Sequence, residues 1–324
     1  MLDAISYYLA RCVFTVIQAL NIEATMKFAR AAGWVAFRLL PRFRKVALEN
    51  LDRIYGDTKT RREKYLIALR SFQHFTSVTL ELLHLPRLCR RKDFWDRVKI
   101  DGYEHMKEAL AMKKGVIFVT GHTGNWELAG FVSSILGIPF YPVARPIENA
   151  PRINEYLMDL RRKSGMKIVM KRGALRTMVQ ALKDGAALAF IMDQNAGRRG
   201  VLVNFLGHKA SAHPSAAAMA MKFDAPVVAA YAYRAGKGFR YRIHIEPIVE
   251  MTNTGDHDAD LQKNTQKIIS VLEGFVRAHP EQWTWGHRRW RLKEGWFRRG
   301  RLADFAEERQ KPEGRSQKKM QERF

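Results

Sequence analysis

The residues best placed to do chemistry lie in the stretch 115–130, Gly-Val-Ile-Phe-Val-Thr-Gly-His-Thr-Gly-Asn-Trp-Glu-Leu-Ala-Gly. His122 stands in a glycine-rich turn, and Glu127 follows it at a His-x4-Glu spacing. An imidazole with one nitrogen held by a carboxylate keeps the other free as a base. That is the His–carboxylate half of a triad. The attacking group would be a substrate hydroxyl, because no Gly-x-Ser-x-Gly elbow occurs in the chain. Spacing alone carries little weight. With 10 His and 32 acidic residues among 324, about one such match is expected by chance.

Context carries more. The apolar run Gly115–Val119 reads as a strand, Thr120–Gly124 as a tight turn, and the pattern from Trp126 onward as a helix. Positions five apart on one helix face apart by roughly 140°. His122 and Glu127 therefore meet only if His122 lies in the turn and Glu127 in the first helical turns, a bent path that the flanking glycines allow. The competing structural role is a histidine at a helix start with Glu127 complementing the helix dipole.

Two further groups fall at strand ends, where ligands bind in α/β proteins. Arg145 closes the run Phe-Tyr-Pro-Val-Ala and suits a phosphate or carboxylate. Asp193-Gln194 closes Ala-Leu-Ala-Phe-Ile-Met, where Asp193 would orient a substrate or Arg145, or cap the following loop. On composition alone, Arg161 and Arg162 read as solvated charges on a helix. His208 and His213 read as neighbours of a helix start at Pro214. The segment 280–290 mixes Trp283, Trp285 and Trp290 with Arg288 and Arg289. It reads as aromatic packing with stacked arginines, or as the rim of a site.

The elements that position these groups alternate. Strands are expected at 115–120, 138–144, 167–170, 187–192, 226–233 and 239–247. Helices are expected at 125–136, 152–165, 173–184, 214–223 and 258–278. This is an α/β protein, with a mixed central sheet flanked by helices because 226–233 and 239–247 read as a hairpin. Helices over 42–55 and 60–84 precede it, and 86–99 reads as a charged connector. Residues 4–20 and 24–40 form two basic amphipathic helices carrying Tyr7, Tyr8 and Trp34. The first is short for a bilayer span and is interrupted by Arg11, so the pair reads as an interfacial membrane anchor or as a hairpin packed on the domain, with a single tilted span as the remaining alternative. The expected organisation is an anchor over 1–41, an enzymatic domain over 42–305 and a disordered polar tail over 306–324.

A net charge of +24 calls for an anionic partner. Cys12 and Cys89 fit no metal spacing, and neither a Cys-x-x-Cys, a His-Glu-x-x-His nor a P-loop is present, so no metal or cofactor is expected. A basic nucleic-acid-binding protein is the rival class. It would show a recognition helix or a ribonucleoprotein motif, and none is visible.

Four pieces, in order, resemble the bacterial lipid A late acyltransferases, the lauroyl/myristoyl acyltransferase family. They are Gly121-His122-Thr123-Gly124-Asn125-Trp126-Glu127; Arg145-Pro146 with Asn149, Pro151 and a helix ending in Arg161-Arg162; Asp193-Gln194-Asn195 with Val203-Asn204-Phe205-Leu206-Gly207; and Pro280-Glu281-Gln282-Trp283 through His287-Arg288-Arg289-Trp290. Ala150 is inserted in the second piece, and the run 210–215 departs from the family pattern. The resemblance implies the fold of glycerolipid acyltransferases and transfer of an acyl chain to a hydroxyl of a lipid A precursor. The donor would be acyl carrier protein or acyl-CoA, and the site the cytosolic face of the inner membrane. It implies His122 as base oriented by Glu127, with Asn125, Arg145, Arg161, Asp193 and Gln194 around the substrates. Related enzymes acylate mannosylated phosphatidylinositol, so another glycolipid or glycerophospholipid acceptor stays open.

Overall fold

The computed structural model describes residues 2–170 and 174–293. Residues 294–324, with the basic and aromatic Trp296, Phe297, Arg298, Arg299 and Arg301 and the tail 306–324, lie outside the described residues.

Six helices come first: α1 (Leu2–Ala19), α2 (Ile22–Leu39), α3 (Pro41–Tyr55), α4 (Arg61–Glu81) and the short α5 (Leu85–Leu88) and α6 (Phe94–Arg97). Their boundaries follow from capping chemistry. Asn21 accepts from the Ala24 amide at 2.8 Å to start α2, Pro41 occupies the first turn of α3, and Thr60 and Glu63 form a reciprocal capping box on α4.

The chain then alternates through β1 (Val98–Asp101), α7 (Tyr103–Ala111), β2 (Val116–Thr120), α8 (Trp126–Ile135), β3 (Phe140–Ala144), α9 (Pro151–Arg162), β4 (Val169–Met170), α10 (Ala174–Lys183) and β5 (Ala187–Ile191). A small hairpin, β6 (Val201–Phe205) and β7 (His208–Ala212), precedes α11 (Ser215–Phe223), β8 (Val227–Arg234), β9 (Tyr241–Ile245) and α12 (His257–Ala278). The large sheet runs β1-β9-β8-β2-β5-β3-β4. All its neighbours are parallel except the antiparallel pair β8–β9, which makes the sheet mixed as expected.

Both faces of the sheet are covered. Ile117 and Val119 of β2 point into the core beneath α11 and α12, while Val116 and Phe118 point the other way, among α7 and α8. β2 lies between β5 and β8 and is buried throughout, so the turn leaving it emerges near the centre of the sheet.

The connector expected at 86–99 instead folds into α5, α6 and the start of β1, followed by α7. β1 is a short edge strand, Val-Lys-Ile-Asp, that lacks the length and apolarity of the buried strands. The loop expected after 192 contains the β6–β7 hairpin. Leu206 and Gly207 form its turn, both at positive φ, and a leucine there gives little hint of such a turn.

The first two helices pack on the body. Ile17, Ile22 and Met26 are buried, and Phe14 and Arg11 both lie against the ring of Tyr156 on α9. Their outer faces stay apolar, with Tyr8, Leu9, Val13, Val16, Phe28, Trp34, Val35 and Leu39 exposed. Among the described residues, no helix is long and apolar enough to cross a membrane.

Helix α2 meets α4 at Gly33, where a Cβ would lie 2.5 Å from the Cα of Gln73. Backbone stands on the other side, so the helices would have to separate. Gly33→Ala is therefore expected to destabilise the protein by about 1–3 kcal/mol despite its better helix propensity, read as a lowered midpoint in urea unfolding.

Candidate active site

The turn after β2 is held by backbone before any side chain reaches it. Gly124 sits at φ +62°, and a Cβ there would collide with the Ala232 carbonyl of β8. Its amide donates to Gln282 O at 3.0 Å, its carbonyl accepts from His74 Nε2 at 3.0 Å, and the next amide, Asn125, donates to Ala232 O at 2.6 Å. Burial keeps His74 neutral, with its pKa lowered to about 3. From above, Thr123 bridges Trp283 and Thr284 Oγ1 donates to His122 O at 3.2 Å. The turn is thus gripped by α4, β8 and the segment 280–290.

His122 is brought to Asp193, not to Glu127. Because β2 and β5 are in parallel register, Thr120 against Ile191, their carboxyl ends coincide. Asp193 Oδ1 accepts from His122 Nδ1 at 2.8 Å. Asp193 Oδ2 accepts from the His122 amide at 2.7 Å and from Trp283 Nε1 at 2.8 Å. The carboxylate is 2% exposed, and burial alone would favour its acid form. The neighbouring His122 and the donated hydrogen bonds overcome that and hold it at about 2.

An ionised carboxylate only accepts, so Nδ1 carries the proton and Nε2 presents its lone pair outward. Burial opposes the imidazolium of His122, but Asp193 outweighs it and the pKa is raised, with Glu127 adding a smaller effect through space. Gln194 Nε2 lies 3.4 Å from His122 Nε2 at the mouth. The Trp126 ring stands edge-on to the imidazole at 5.0 Å and continues to the half-exposed Phe75 at 6.2 Å.

Glu127 does not orient His122 by a hydrogen bond. It forms a two-pronged ion pair with Arg161 of α9, Nε to Oε2 at 2.8 Å and Nη2 to Oε1 at 2.5 Å. The reason is geometric. Glu127 lies in the first turn of α8, and Arg161 reaches it from the end of α9 with a guanidinium fork that matches the carboxylate. Arg161, read from composition as a solvated charge, is accordingly largely buried.

Asn125, expected among substrate-binding groups, is fully buried. Its Oδ1 caps α8 through the Leu128 amide at 2.9 Å, and its Nδ2 donates to Glu81 Oε2 at 2.8 Å. Both ends of the amide are occupied by the protein. Arg145 is exposed at the end of β3, with Nη2 3.3 Å from His213 Nε2.

Several supporting residues escaped the sequence reading. Glu81 is fully buried and also accepts from Arg234 Nη2 at 2.7 Å and Tyr241 Oη at 2.6 Å. An acid inside the apolar run Leu80-Glu81-Leu82-Leu83 was the available signal. Trp283, Trp285 and Trp290 are core residues, as one reading had it, but Arg289 lies over Phe205 and not over a tryptophan. Among the described residues, no group of His, Cys, Asp and Glu is arranged to hold a metal.

The Glu127–Arg161 pair yields a stability prediction. Arg161→Met leaves a buried carboxylate without its partner and is expected to cost about 3–5 kcal/mol. Adding Glu127→Gln, which removes the orphaned charge, is expected to restore most of it. Urea unfolding of the two variants beside the wild type measures this, and equal instability of both would refute the pairing.

Comparison with known proteins agrees with this architecture. The profile of the bacterial lipid A biosynthesis acyltransferases matches residues 1–292. The chain is 24% identical over 306 residues to a phosphatidylinositol mannoside acyltransferase of Mycobacterium tuberculosis H37Rv, covering 87% of this chain and 90% of the relative. It is 25% identical over 269 residues to the lipid A biosynthesis palmitoleoyltransferase of Escherichia coli K12, covering 81% and 83%. It is 25% identical over 271 residues to the lauroyltransferase of the same organism, again covering 81% and 83%. With its mixed sheet, its gripped turn and this match over nearly the whole chain, the protein belongs to the bacterial lipid A biosynthesis acyltransferase family.

Proposed function

We propose that the protein is a membrane-associated O-acyltransferase. It would move a fatty acyl chain from acyl carrier protein to a hydroxyl of a lipid A precursor, with His122 as general base. The observation that carries this reading is His122 itself. Its Nδ1 is held by the buried, ionised Asp193, and its Nε2 faces the site mouth beside Trp126.

In this mechanism Nε2 takes the proton of the acceptor hydroxyl as the oxygen attacks the thioester carbonyl. The imidazolium that forms is stabilised by Asp193 through a hydrogen bond and by Glu127 through its field. Collapse of the tetrahedral intermediate expels the thiolate, which recovers the proton from His122. Gln194, whose amide stands at the mouth, is placed to donate to the developing oxyanion. Arg145 is assigned to an anionic group of the substrate. Glu127 and Arg161 hold the start of α8 and tune His122; Asn125 acts through the same helix and not by touching substrate.

The outer faces of α1 and α2 support peripheral attachment to the cytosolic face of the inner membrane. Exposed Leu9, Val13, Trp34 and Leu39 would enter the interface, while Lys27, Arg30 and Arg38 meet anionic headgroups. Phe75 and Trp126 form an aromatic step from the protein surface to His122, apolar enough to guide an acyl chain.

A second acceptor has a specific observation behind it. The mannoside acyltransferase relative covers 87% of this chain, more than the two E. coli relatives do. A mannosylated or otherwise glycosylated phospholipid, with acyl-CoA as donor, is the alternative substrate pair.

The test is acyl transfer in detergent with each donor and each acceptor. Wild type is expected to acylate the lipid A precursor from acyl carrier protein, and His122→Ala to lose about 10²–10⁴-fold in rate. Survival of most of the rate in His122→Ala would sink the base mechanism. Activity confined to the mannosylated lipid would replace the acceptor and leave the chemistry standing.

The pH profile separates the two carboxylates. The base works when neutral, so the acid limb should lie above the ordinary histidine value of 6.5. Asp193→Asn removes the counter-charge and leaves only burial, which moves that limb to lower pH. It also frees the tautomer, for a loss of about 10³–10⁴-fold. In Glu127→Gln the limb is expected to move in the same direction but by less, because Glu127 makes no hydrogen bond to the ring.

A further inference from the structure

Away from His122, a cleft of about 300 Å³ opens between α3 and the segment 288–291. Asn50 and Arg53 of α3 face Arg288 and Arg291 across it, with Val46 and Glu49 also on the α3 side. Three arginines thus converge around one carboxylate. Glu49 leans to Lys45 at 3.8 Å, and among the described residues none of the three arginines has a carboxylate within ion-pair range. Three guanidinium groups around a single carboxylate leave an excess of positive charge, and an anion entering among them relieves their repulsion.

The cleft is built, not incidental. Asn50 Nδ2 donates to Trp285 O and His287 O, both at 2.8 Å, which ties one wall to the other. Asn195 Nδ2 is shared among the carbonyls of Arg291 at 2.7 Å, Arg289 at 3.1 Å and Arg288 at 3.3 Å. Asn195 follows Asp193-Gln194 directly, so the loop that orients His122 also fixes the wall that carries two of the arginines.

Its surroundings indicate the kind of anion. Phe43, Val46, Asn50 and Arg53 share one face of α3 at helical spacing. At the start of that face Phe43 lies against Gly286, and Phe43, Leu40 and Leu39 form an exposed apolar corner between α2 and α3. Apolar surface at one end of the helix and unpaired guanidinium groups at the other match a lipid: chains at the corner, an anionic head group in the cleft. A guanidinium fork matches phosphoryl oxygens bidentately, and a phosphoryl group is the anion that phospholipid head groups share.

We propose that this cleft is a subsite for the phosphoryl group of a lipid head group, held by Arg53, Arg288 and Arg291 and separate from Arg145. The subsite rests on the acyltransferase reading only for the claim that the lipid is the acceptor; binding itself does not depend on it.

Flotation with phosphatidylcholine vesicles, with and without one-fifth phosphatidic acid, tests the subsite without any turnover. The variants are Arg53→Gln/Arg288→Gln/Arg291→Gln and a control that loses equal charge elsewhere on the exposed surface, Lys183→Gln/Lys209→Gln/Lys237→Gln. Acyl transfer to the phosphorylated acceptor and to the same acceptor stripped of phosphate forms the second arm. The expected result is that the cleft variant loses about tenfold in binding to the acidic vesicles. Its preference in kcat/KM for the phosphorylated acceptor falls by a similar factor, and the control loses neither. A loss in vesicle binding alone supports the subsite and assigns it to bilayer phospholipid; a loss in acceptor preference alone assigns it to the acceptor. Equal losses in the cleft and control variants, or none in either, overturn the proposal. An enzyme inert on every acceptor but still showing the vesicle difference would overturn the acyltransferase reading and leave the subsite.

Discussion

A carboxylate that is 2% exposed survives as an anion only if donors surround it, and the centre of this protein is organised by that demand. Asp193 accepts three hydrogen bonds, two of them from a single residue, the ring and the backbone amide of His122. The backbone bond fixes where His122 sits and the ring bond fixes how it is turned, so position and orientation are not separately adjustable. The third donor, Trp283, draws in the segment after α12. Three parts of the chain, distant in sequence, are thereby committed to one geometry. That geometry depends in turn on the parallel register of β2 and β5, since a slip of one residue would move the two turns apart and reverse the faces of the strand that slipped.

Glu127 occupies a different place in the same electrostatic arrangement. A carboxylate hydrogen-bonded to Nε2 would block the only nitrogen able to take a proton. Paired instead with Arg161, Glu127 leaves the ring nitrogens alone and acts on the imidazolium only through space, without competing for the lone pair. The pair also anchors the end of α9 to the start of α8. Behind it, Glu81 gathers Asn125, Arg234 and Tyr241 in a second buried network, which sets the N-cap from which α8 begins. Asp193, Glu127 and Glu81 are thus each met by an opposite charge or by donors within the protein, and Nε2 of His122 is left facing the mouth of the site.

Much of this was legible in the sequence because it depends on local pattern. The strand–turn–helix at 115–136, the alternation of strands and helices and the β8–β9 hairpin all follow from periodicity and glycine placement. The edge strand β1 and the β6–β7 hairpin were not, because short strands and a turn containing Leu206 leave weak local signals. At the site, the structure brings the candidate residues close together but pairs them differently from the expectation. His122, Glu127, Asp193 and Arg161 were all among the candidates, yet which carboxylate meets which cation is decided by strand register and by where α9 ends. Neither quantity is written in local sequence. His122 and Glu127 lie close along the chain, and that proximity was misleading: a turn that bends enough to expose Nε2 also turns Nδ1 toward the neighbouring strand.

The net charge of +24 acquires meaning from its distribution. Arginines that meet carboxylates, such as Arg161, Arg234 and Arg242, serve the fold and offer nothing to a partner. The excess that remains includes Arg53, Arg288 and Arg291, and it lies next to exposed apolar residues at the α2–α3 corner. A soluble anion would be served by charge alone, without that apolar neighbour. A molecule with chains and a charged head needs both, side by side, at a depth fixed by the interface. If the apolar helices set that depth, the basic cleft sets the lateral position of the head group. A hydroxyl on the same molecule can then be brought to His122 with little further loss of freedom, which is where orientation contributes most to rate.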